Sequence, residues 1–114
     1  MSILITGGAG YIGSHCNKIF RENGYETIVL DNLSNGHEAA VKDTKLIIGD
    51  IGDGELLNSV FSQNKIDGVI HLAAKKSVEE SVSNPRFYYE ENVVKTKALI
   101  DSMIKNNICC IMVP

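Results

Sequence analysis

Glycines near the amino terminus have a spacing that can bind phosphate. Gly8, Gly10 and Gly13 satisfy the pattern G-x-G-x-x-G, and Gly7, Gly10 and Gly13 satisfy the related pattern G-x-x-G-x-x-G. The short apolar run 3–5 precedes them, and a helical pattern follows. Glycine allows the backbone to turn sharply and to lie close to a pyrophosphate, which then rests on the amide groups that begin the helix. The pattern predicts a dinucleotide site, although a glycine loop can also be a plain turn.

The acidic residue that ends the second predicted strand discriminates between dinucleotides. Asp31 follows the apolar run 27–30 and lies near the expected distance of about 20 residues beyond the glycines. A carboxylate here can accept hydrogen bonds from an adenosine ribose and repels a 2′-phosphate. Residues 32–36 contain no arginine that could receive such a phosphate. The spacing therefore favours NAD over NADP, and a turn residue at a strand end is the alternative interpretation.

The third and fourth predicted strands end in further candidates. Asp50 could accept a hydrogen bond from the adenine amino group while Ile51 packs on the ring, but an ordinary turn explains both residues equally well. Small residues in the segment 71–74 leave room for a cofactor at the point where the strand order reverses. For His71 we favour a hydrogen-bonded core position over a catalytic role. The adjacent lysines, 75–76, belong to a solvated loop or contact phosphate or ribose.

A long helical pattern carries one polar residue among apolar ones. Asn92 falls in the middle of a face that forms at about 100° per residue and otherwise contains Tyr88, Leu99, Ile100 and Met103. A buried amide without a partner costs roughly 1–3 kcal/mol, so Asn92 must bond either to nearby backbone or to a ligand. The residues alone leave these two alternatives open.

Apolar strands alternate with helices along the chain. This order predicts the α/β class and a doubly wound parallel sheet of the Rossmann type, with strand order 3-2-1-4-5 and no strand after the fifth. We expect strands at 2–6, 26–30, 45–48, 68–72 and 108–113, and helices at 11–22, 54–63 and 85–105. A capping box at 77–80 predicts a short helical turn near 77–82, and Asn84 is expected to cap the last helix.

Length and composition restrict the possible function classes. The 114 residues suit one domain, residues 1–114, and the net charge of −3 without a basic cluster argues against nucleic acid as a partner. No apolar run is long enough to cross a membrane, and no secretion signal is recognisable. Cys16, Cys109 and Cys110 lack C-x-x-C spacing, so we expect buried free thiols, no metal site and a cytoplasmic location. The fifth strand, apolar and at a sheet edge, and the long helix predict a homo-oligomer.

Five segments of the chain resemble one enzyme family. Residues 7–15, 31–36, 49–51, 71–78 and 88–93 are similar to the UDP-glucose 4-epimerases, which belong to the extended short-chain dehydrogenase/reductase group and to the NAD-dependent epimerases and dehydratases. The resemblance extends from the first residue to about residue 107. It implies that this chain is the amino-terminal, NAD-binding portion of such a protein.

The resemblance also implies which residues contact the cofactor NAD. Tyr11 and Ile12 would lie along the pyrophosphate, Lys76 near the nicotinamide ribose and the sugar nucleotide, and Asn92 near the nicotinamide, which favours a site role for this amide. The full set implied is Gly7, Gly10, Tyr11, Ile12, Gly13, Asp31, Asn32, Leu33, Ser34, Asn35, Gly36, Asp50, Ile51, Leu72, Ala73, Ala74, Lys75, Lys76 and Asn92.

The family reaction interconverts UDP-glucose and UDP-galactose by transferring hydride to NAD and back through a 4-keto intermediate. A tyrosine base, a lysine and a serine or threonine carry it, and the resemblance places all three beyond the fifth strand. Tyr88 and Tyr89 do not begin a Y-x-x-x-K motif, and residues 109–114 depart from the serine-rich turn of the family. We therefore expect no catalytic residue and no turnover in this chain, and UDP-sugar binding only when the missing half is supplied.

Two alternatives remain. The chain could be a non-catalytic Rossmann-type remnant that acts through self-association. It could also be part of another nucleotide-sugar dehydratase or reductase, an alternative that segments 31–36 and 76–78 disfavour because both match the epimerases.

Overall fold

A parallel sheet with helices on both faces organises the molecule. The computed structural model describes residues 2–33, 38–41, 44–73, 85–108 and 111–112. Within them the sheet has the order β3-β2-β1-β4-β5, which confirms the predicted fold class. The elements are β1 (Ser2–Thr6), α1 (Tyr11–Glu22), β2 (Glu26–Asp31), a 3-10 turn (Glu38–Val41), β3 (Lys45–Ile48), α2 (Gly54–Gln63), β4 (Gly68–His71), α3 (Pro85–Tyr89), a π-helical turn (Glu90–Val94), α4 (Lys95–Lys105) and β5 (Ile111–Met112).

Alternate residues of the strands supply two separate cores. Ile3 and Ile5 of β1 pack on one face, in a cluster that also receives Phe20 of α1. Leu4 packs on the other face, in a larger cluster with residues of α2 and α4, among them Leu57 and Leu99. Successive side chains of a strand point to opposite faces, so the continuous apolar run of β1 is needed to fill both layers.

The register brings the carboxyl ends of the central strands to one level. Thr6 at the end of β1 is paired with Leu30 in β2 and with His71 in β4. The loops that follow β1, β2 and β4 therefore meet at one edge of the sheet. In open sheets of this kind, ligands bind outside the carboxyl ends of the strands, where the strand order reverses.

Helix ends coincide with residues that can cap them. After α1, Gly24 has φ +86°, its amide bonds to Arg21 O, and the Tyr25 amide bonds to Phe20 O. This is the Schellman arrangement, and the rings of Phe20 and Tyr25 complete it at 5.3 Å in an edge-to-face contact. At the start of α2, the Asp53 carboxylate accepts the Leu56 amide at 3.2 Å. These caps explain why both helices have the predicted bounds.

The last helix and strand differ from the prediction. The expected single helix 85–105 is interrupted by the π-helical turn Glu90–Val94. The fifth strand begins at Ile111 among the described residues, and Ile108 is not part of it. The reason is a second Schellman cap, in which Asn107 has φ +60° and the Ile108 amide bonds to Met103 O at 2.9 Å. Ile108 therefore packs on the end of α4.

The predicted apolar face of this helix is also wrong in one member. Leu99 and Met103 are buried together with Ser102, whereas Ile100 is 39% exposed. The side chain of Tyr88, the other predicted member, is not among those that the structure describes. The predicted turn near 77–82, the cap Asn84, Cys109 and Cys110 lie outside the described residues. Cys16, expected to be buried, is a free thiol of intermediate exposure.

Candidate functional site

The glycine loop packs closely against the end of β4. Gly7 has φ +69°, and a Cβ there would come within 2.7 Å of the Leu72 carbonyl oxygen. A Cβ on Gly13 would overlap the Gly7 carbonyl oxygen and lie 2.6 Å from the Gly8 Cα. The Gly7 amide donates to Leu30 O at 2.8 Å, which ties the loop to β2. Only residues without a side chain allow the loop, the helix and β4 to approach one another this closely.

Helix α1 begins without a capping side chain. Its N-cap is Gly10, and the first turn contains no acidic residue. Tyr11 and Ile12 are 82% and 59% exposed, and the Tyr11 ring rests edge-on against His15 at 4.8 Å. The unpaired amides and the dipole at such a helix start attract anions. The predicted phosphate site is therefore geometrically open, and the side chains predicted to lie along the pyrophosphate face the solvent.

Asp31 braces the glycine loop. One carboxylate oxygen, Oδ2, accepts the Ala9 amide at 3.0 Å, and the other, Oδ1, accepts the Leu33 amide at 2.7 Å. The residue is only 8% exposed. An ionised carboxylate has about four lone-pair sites, so two backbone bonds leave positions for further donors. Sequence analysis offered a ribose contact or a strand-end turn residue for Asp31, and the bond to the Leu33 amide fits the turn. It missed the bond to the Ala9 amide, which is 22 residues away.

Asp50 forms an ion pair with a residue that sequence reasoning missed. Its Oδ2 lies 2.7 Å from Lys95 Nζ, and its Oδ1 accepts the Gly52 amide at 2.7 Å. Partial burial by itself would raise the pKa of Asp50, but the hydrogen bonds from Lys95 and Gly52 and the lysine charge outweigh it, so the pKa lies below its usual value. Asp50 is therefore a carboxylate at neutral pH, and it can accept a hydrogen bond from the amino group of a nucleotide base.

His71 links the ends of β1, β4 and α4. Its Nδ1 lies 2.7 Å from Thr6 Oγ1, and its Nε2 lies 2.9 Å from Thr96 Oγ1. The Leu72 amide donates to Thr6 Oγ1 at 3.0 Å, so the Thr6 hydroxyl joins the end of β1 to both His71 and the backbone after β4. The predicted hydrogen-bonded core histidine is confirmed, since His71 is 2% exposed.

The remaining predicted residues are distributed around the same edge. Leu72 and Ala73 are half-buried beside the glycine loop, Asn32 is exposed, and Asn92 is half-buried within the π-helical turn. Ile51 is 5% exposed, and its side chain belongs to the larger hydrophobic core cluster. Ser34, Asn35, Gly36, Ala74, Lys75 and Lys76 lie outside the described residues.

The donors at this edge suit an anionic dinucleotide. The glycine loop lies so close to the end of β4 that a Cβ at Gly7 would clash, and α1 begins without a capping side chain. Both features fit the binding of a pyrophosphate. The described part of the chain contains no group of three or more His, Cys, Asp or Glu that could hold a metal ion. None of its helices has the length and apolar character that spanning a membrane requires.

Comparisons with known proteins agree with this geometry. The sequence matches the family model described as NAD dependent epimerase/dehydratase family over residues 3–112. It is 48% identical over 108 residues to a UDP-glucose 4-epimerase of Halalkalibacterium halodurans, and the alignment covers 95% of this chain and 32% of that protein.

Solved structures of epimerases superpose on the chain. A crystal structure of UDP-glucose 4-epimerase from Brucella ovis in complex with NAD has a TM-score of 0.95 and 38% identity, covering 98% of this chain and 34% of that one. The structure of the Bifidobacterium longum UDP-glucose 4-epimerase in complex with NAD+ and UDP has a TM-score of 0.96 and 36% identity, covering 99% and 36%. The chain thus spans about a third of the length of the relatives that it matches.

These similarities confirm the resemblance inferred from the residue motifs. They also confirm the predicted cofactor, since the family is NAD dependent and both solved structures contain NAD. The match covers almost every residue from β1 to β5. The chain belongs to the NAD dependent epimerase/dehydratase family.

Proposed function

We propose that residues 1–114 form the NAD-binding portion of a protein that epimerises a UDP-sugar. The observation that carries the proposal is the open start of α1 beside a braced glycine loop. Gly10 offers no capping side chain, and Gly7 and Gly13 lack the Cβ atoms that would clash with β4 and with the loop backbone. The dipole of α1 would stabilise the pyrophosphate, which is the only doubly charged part of the cofactor.

The carboxylate of Asp31 supports the choice between NAD and NADP. It is held by two backbone amides and is almost buried, so it cannot turn away from an approaching phosphate without losing both bonds. A 2′-phosphate on the ribose would place two like charges close together in a partly desolvated position, which is costly. The hydroxyl groups of an unmodified ribose can instead donate to its unused lone pairs.

Calorimetry with both dinucleotides tests the cofactor proposal. We expect NAD to bind at least about tenfold more tightly than NADP, which corresponds to about 1.4 kcal/mol. Adenosine diphosphate should compete with NAD, because the proposed contacts of the described residues lie mainly on the adenosine side. Equal binding of NAD and NADP, or binding of neither, contradicts the proposal.

The epimerisation is proposed for a longer protein, in which this portion is joined to a segment equivalent to the other two thirds of its relatives. NAD supplies a hydride acceptor, while the residues of this chain bind and orient it. The 114-residue sequence contains no Y-x-x-x-K motif, so we expect the chain alone to leave UDP-galactose unchanged. A coupled assay that detects UDP-glucose tests this expectation, and turnover above the protein-free rate would refute it.

Self-association is a second candidate function, favoured by an apolar groove between α4 and β5. The groove has a volume of about 470 Å³ and is lined by Ile100, Met103, Ile104, Asn107, Ile108 and Ile111. Ile104 is 69% exposed. We expect a second copy of the chain to cover this groove at micromolar concentration, so that light scattering reports a dimer and Ile104→Lys a monomer. A monomeric wild-type chain would exclude this function.

A further inference from the structure

The pair formed by Asp50 and Lys95 joins two parts of the chain that are distant in sequence. Lys95 Nζ and Asp50 Oδ2 are 2.7 Å apart although the residues are 45 positions apart. The side chains are 23% and 38% exposed, respectively. A pair that is partly shielded from water is screened less than a surface pair, so this contact can fix the carboxylate.

The turn after β3 depends on the same carboxylate. Asp50 Oδ1 accepts the Gly52 amide at 2.7 Å, and the Asp50 carbonyl accepts the Asp53 amide at 3.0 Å. The lysine stem lies across this turn, because a Cβ on Gly52 would be 3.1 Å from Lys95 Cγ. Both oxygens of Asp50 are therefore oriented, one by the turn itself and one by Lys95.

The backbone of Lys95 is itself held in place. It is the first residue of α4, directly after the π-helical turn. The next residue, Thr96, bonds to His71 Nε2 at 2.9 Å, which ties this end of α4 to the end of β4. The side chain of Lys95 therefore reaches from the start of α4, which is tied to the end of β4, to the turn that follows β3.

A cavity opens beside the pair. It has a volume of about 390 Å³ and is lined by Asp50, Gly52, Asp53, Val94, Lys95 and Ala98. The apolar side chains of this lining can pack against a planar base while the Asp50 carboxylate accepts from its amino group. The other carboxylate, Asp53, caps α2 through the Leu56 amide. Two of the roughly four lone-pair sites of the Asp50 carboxylate are occupied, so acceptor positions remain.

We propose that Lys95 is a positioning residue that holds Asp50 ready to accept a hydrogen bond from the amino group of the adenine base. The proposal rests on the proposed NAD-binding function. It assigns no contact with the nucleotide to Lys95 itself, which acts through the Asp50 carboxylate.

A comparison of two dinucleotides isolates this role. Nicotinamide hypoxanthine dinucleotide has a carbonyl group in place of the adenine amino group, so it lacks the donor that Asp50 would receive. Calorimetry should show that the wild-type chain prefers NAD. Lys95→Met keeps the stem and removes the charge, and we expect it to weaken NAD binding about threefold to tenfold, in line with the loss of one oriented hydrogen bond. Binding of the hypoxanthine analogue should change less.

Matched variants separate positioning from general damage. Lys97→Met removes a lysine of the same helix that pairs with Asp101 at 2.9 Å but is 76% exposed, and it should alter neither affinity. Lys95→Arg should restore the preference for NAD because it keeps a cation at the same place. In an Asp50→Asn background, Lys95→Met should have no further effect on the preference.

The possible results differ clearly. If Lys95→Met weakens both dinucleotides equally, its role is merely structural and the proposal fails. If it tightens NAD binding, Lys95 competes with the base and the proposal fails as well. A wild-type chain that binds no dinucleotide refutes the NAD-binding function and this inference together, whereas NAD binding with an unchanged preference in Lys95→Met refutes only the inference.

Discussion

Two carboxylates at the ends of neighbouring strands are held in opposite ways. Asp31 at the end of β2 is 8% exposed and accepts hydrogen bonds from two backbone amides. Asp50, just beyond β3, has a side chain that is 38% exposed, and its oxygens bond to one backbone amide and to the side chain of Lys95. Backbone partners come with the fold, whereas a side-chain partner can be removed by one substitution. Asp31 at the end of β2 should therefore be essential to the stability of the glycine loop, whereas a substitution at the Asp50 pair beyond β3 should change stability only slightly.

The largest effect is expected for Asp31→Ala. This change leaves the buried Ala9 amide and the Leu33 amide without their acceptor, and each bond to a charged group contributes about 1.5–3 kcal/mol. We expect the free energy of unfolding to fall by about 2–4 kcal/mol, less than the sum of the two bonds, because water can replace the acceptor of the half-buried Leu33 amide. The preference for NAD over NADP should disappear. Urea denaturation and calorimetry measure the two effects.

Asp53→Ala is the matched control for this change. It removes another carboxylate that accepts one backbone amide, at the start of α2. The loss of an N-cap costs about 0.5–2 kcal/mol, and the discrimination between NAD and NADP should remain. A loss below 0.5 kcal/mol (about the effect of a neutral surface substitution) in Asp31→Ala would contradict the bracing role.

A smaller effect is expected for Asp50→Asn. Asparagine can still accept the Gly52 amide, so only the charged bond to Lys95 is lost. Pairs with this much exposure contribute roughly 0–1 kcal/mol, and we expect the free energy of unfolding to fall by no more than that. Urea denaturation of both variants, Asp50→Asn and Asp31→Ala, ranks their losses in the free energy of unfolding directly. Equal losses in the two variants would break the comparison between the two strand ends.

Acid should reveal the Asp50 pair through its pH dependence. The pKa of Asp50 in the folded chain lies below its usual value. The stability that it contributes is therefore fully present above the unfolded pKa, about 3.9, and is lost as the pH falls through the folded pKa. Melting temperatures of the wild type and of Asp50→Asn should differ at pH 7 and converge as the pH falls through the folded pKa of Asp50. A constant difference would show that the charge of Asp50 is irrelevant.

Salt should have the smallest effect. At 1 M salt the Debye length is about 3 Å, close to the 2.7 Å separation of Asp50 and Lys95, so this partly exposed pair is screened only weakly. The stability difference between the wild type and Asp50→Asn should then shrink by a few tenths of a kcal/mol. The difference for Asp31→Ala should stay constant, because buried hydrogen bonds to the backbone are shielded from ions. A stronger salt response at Asp31 would reverse the comparison.

Local signals made most of the fold predictable. The apolar runs of β1 to β4 and the caps around α1 and α2 lie within a few residues of the elements that they define. Strand order followed from the right-handed crossover. The start of β5 was missed because Asn107 adopts φ +60°, a conformation that asparagine permits but does not require.

The candidate site was predictable only where it depends on local spacing. Gly7 to Gly13 and Asp31 could be found from the G-x-G-x-x-G pattern and the distance to the strand end. The partnership of Lys95 with Asp50 could not, since 45 residues separate the pair and a lysine on a helix is usually solvated. The π-helical turn that precedes Lys95 also has no clear sequence signature. A helix drawn with the regular period of 3.6 residues therefore gives every side chain after this turn a direction that differs from the one in the structure.

That turn makes the helix between Pro85 and Lys105 sensitive to its exact number of residues. A regular α-helix is the more favourable backbone by itself, but with the present number of residues it would turn everything on one side of Glu90–Val94 by about 100°. Lys95 and Thr96 could then not both keep their partners on the sheet. The π-helical turn takes up the additional residue, so the turn and these two contacts depend on each other.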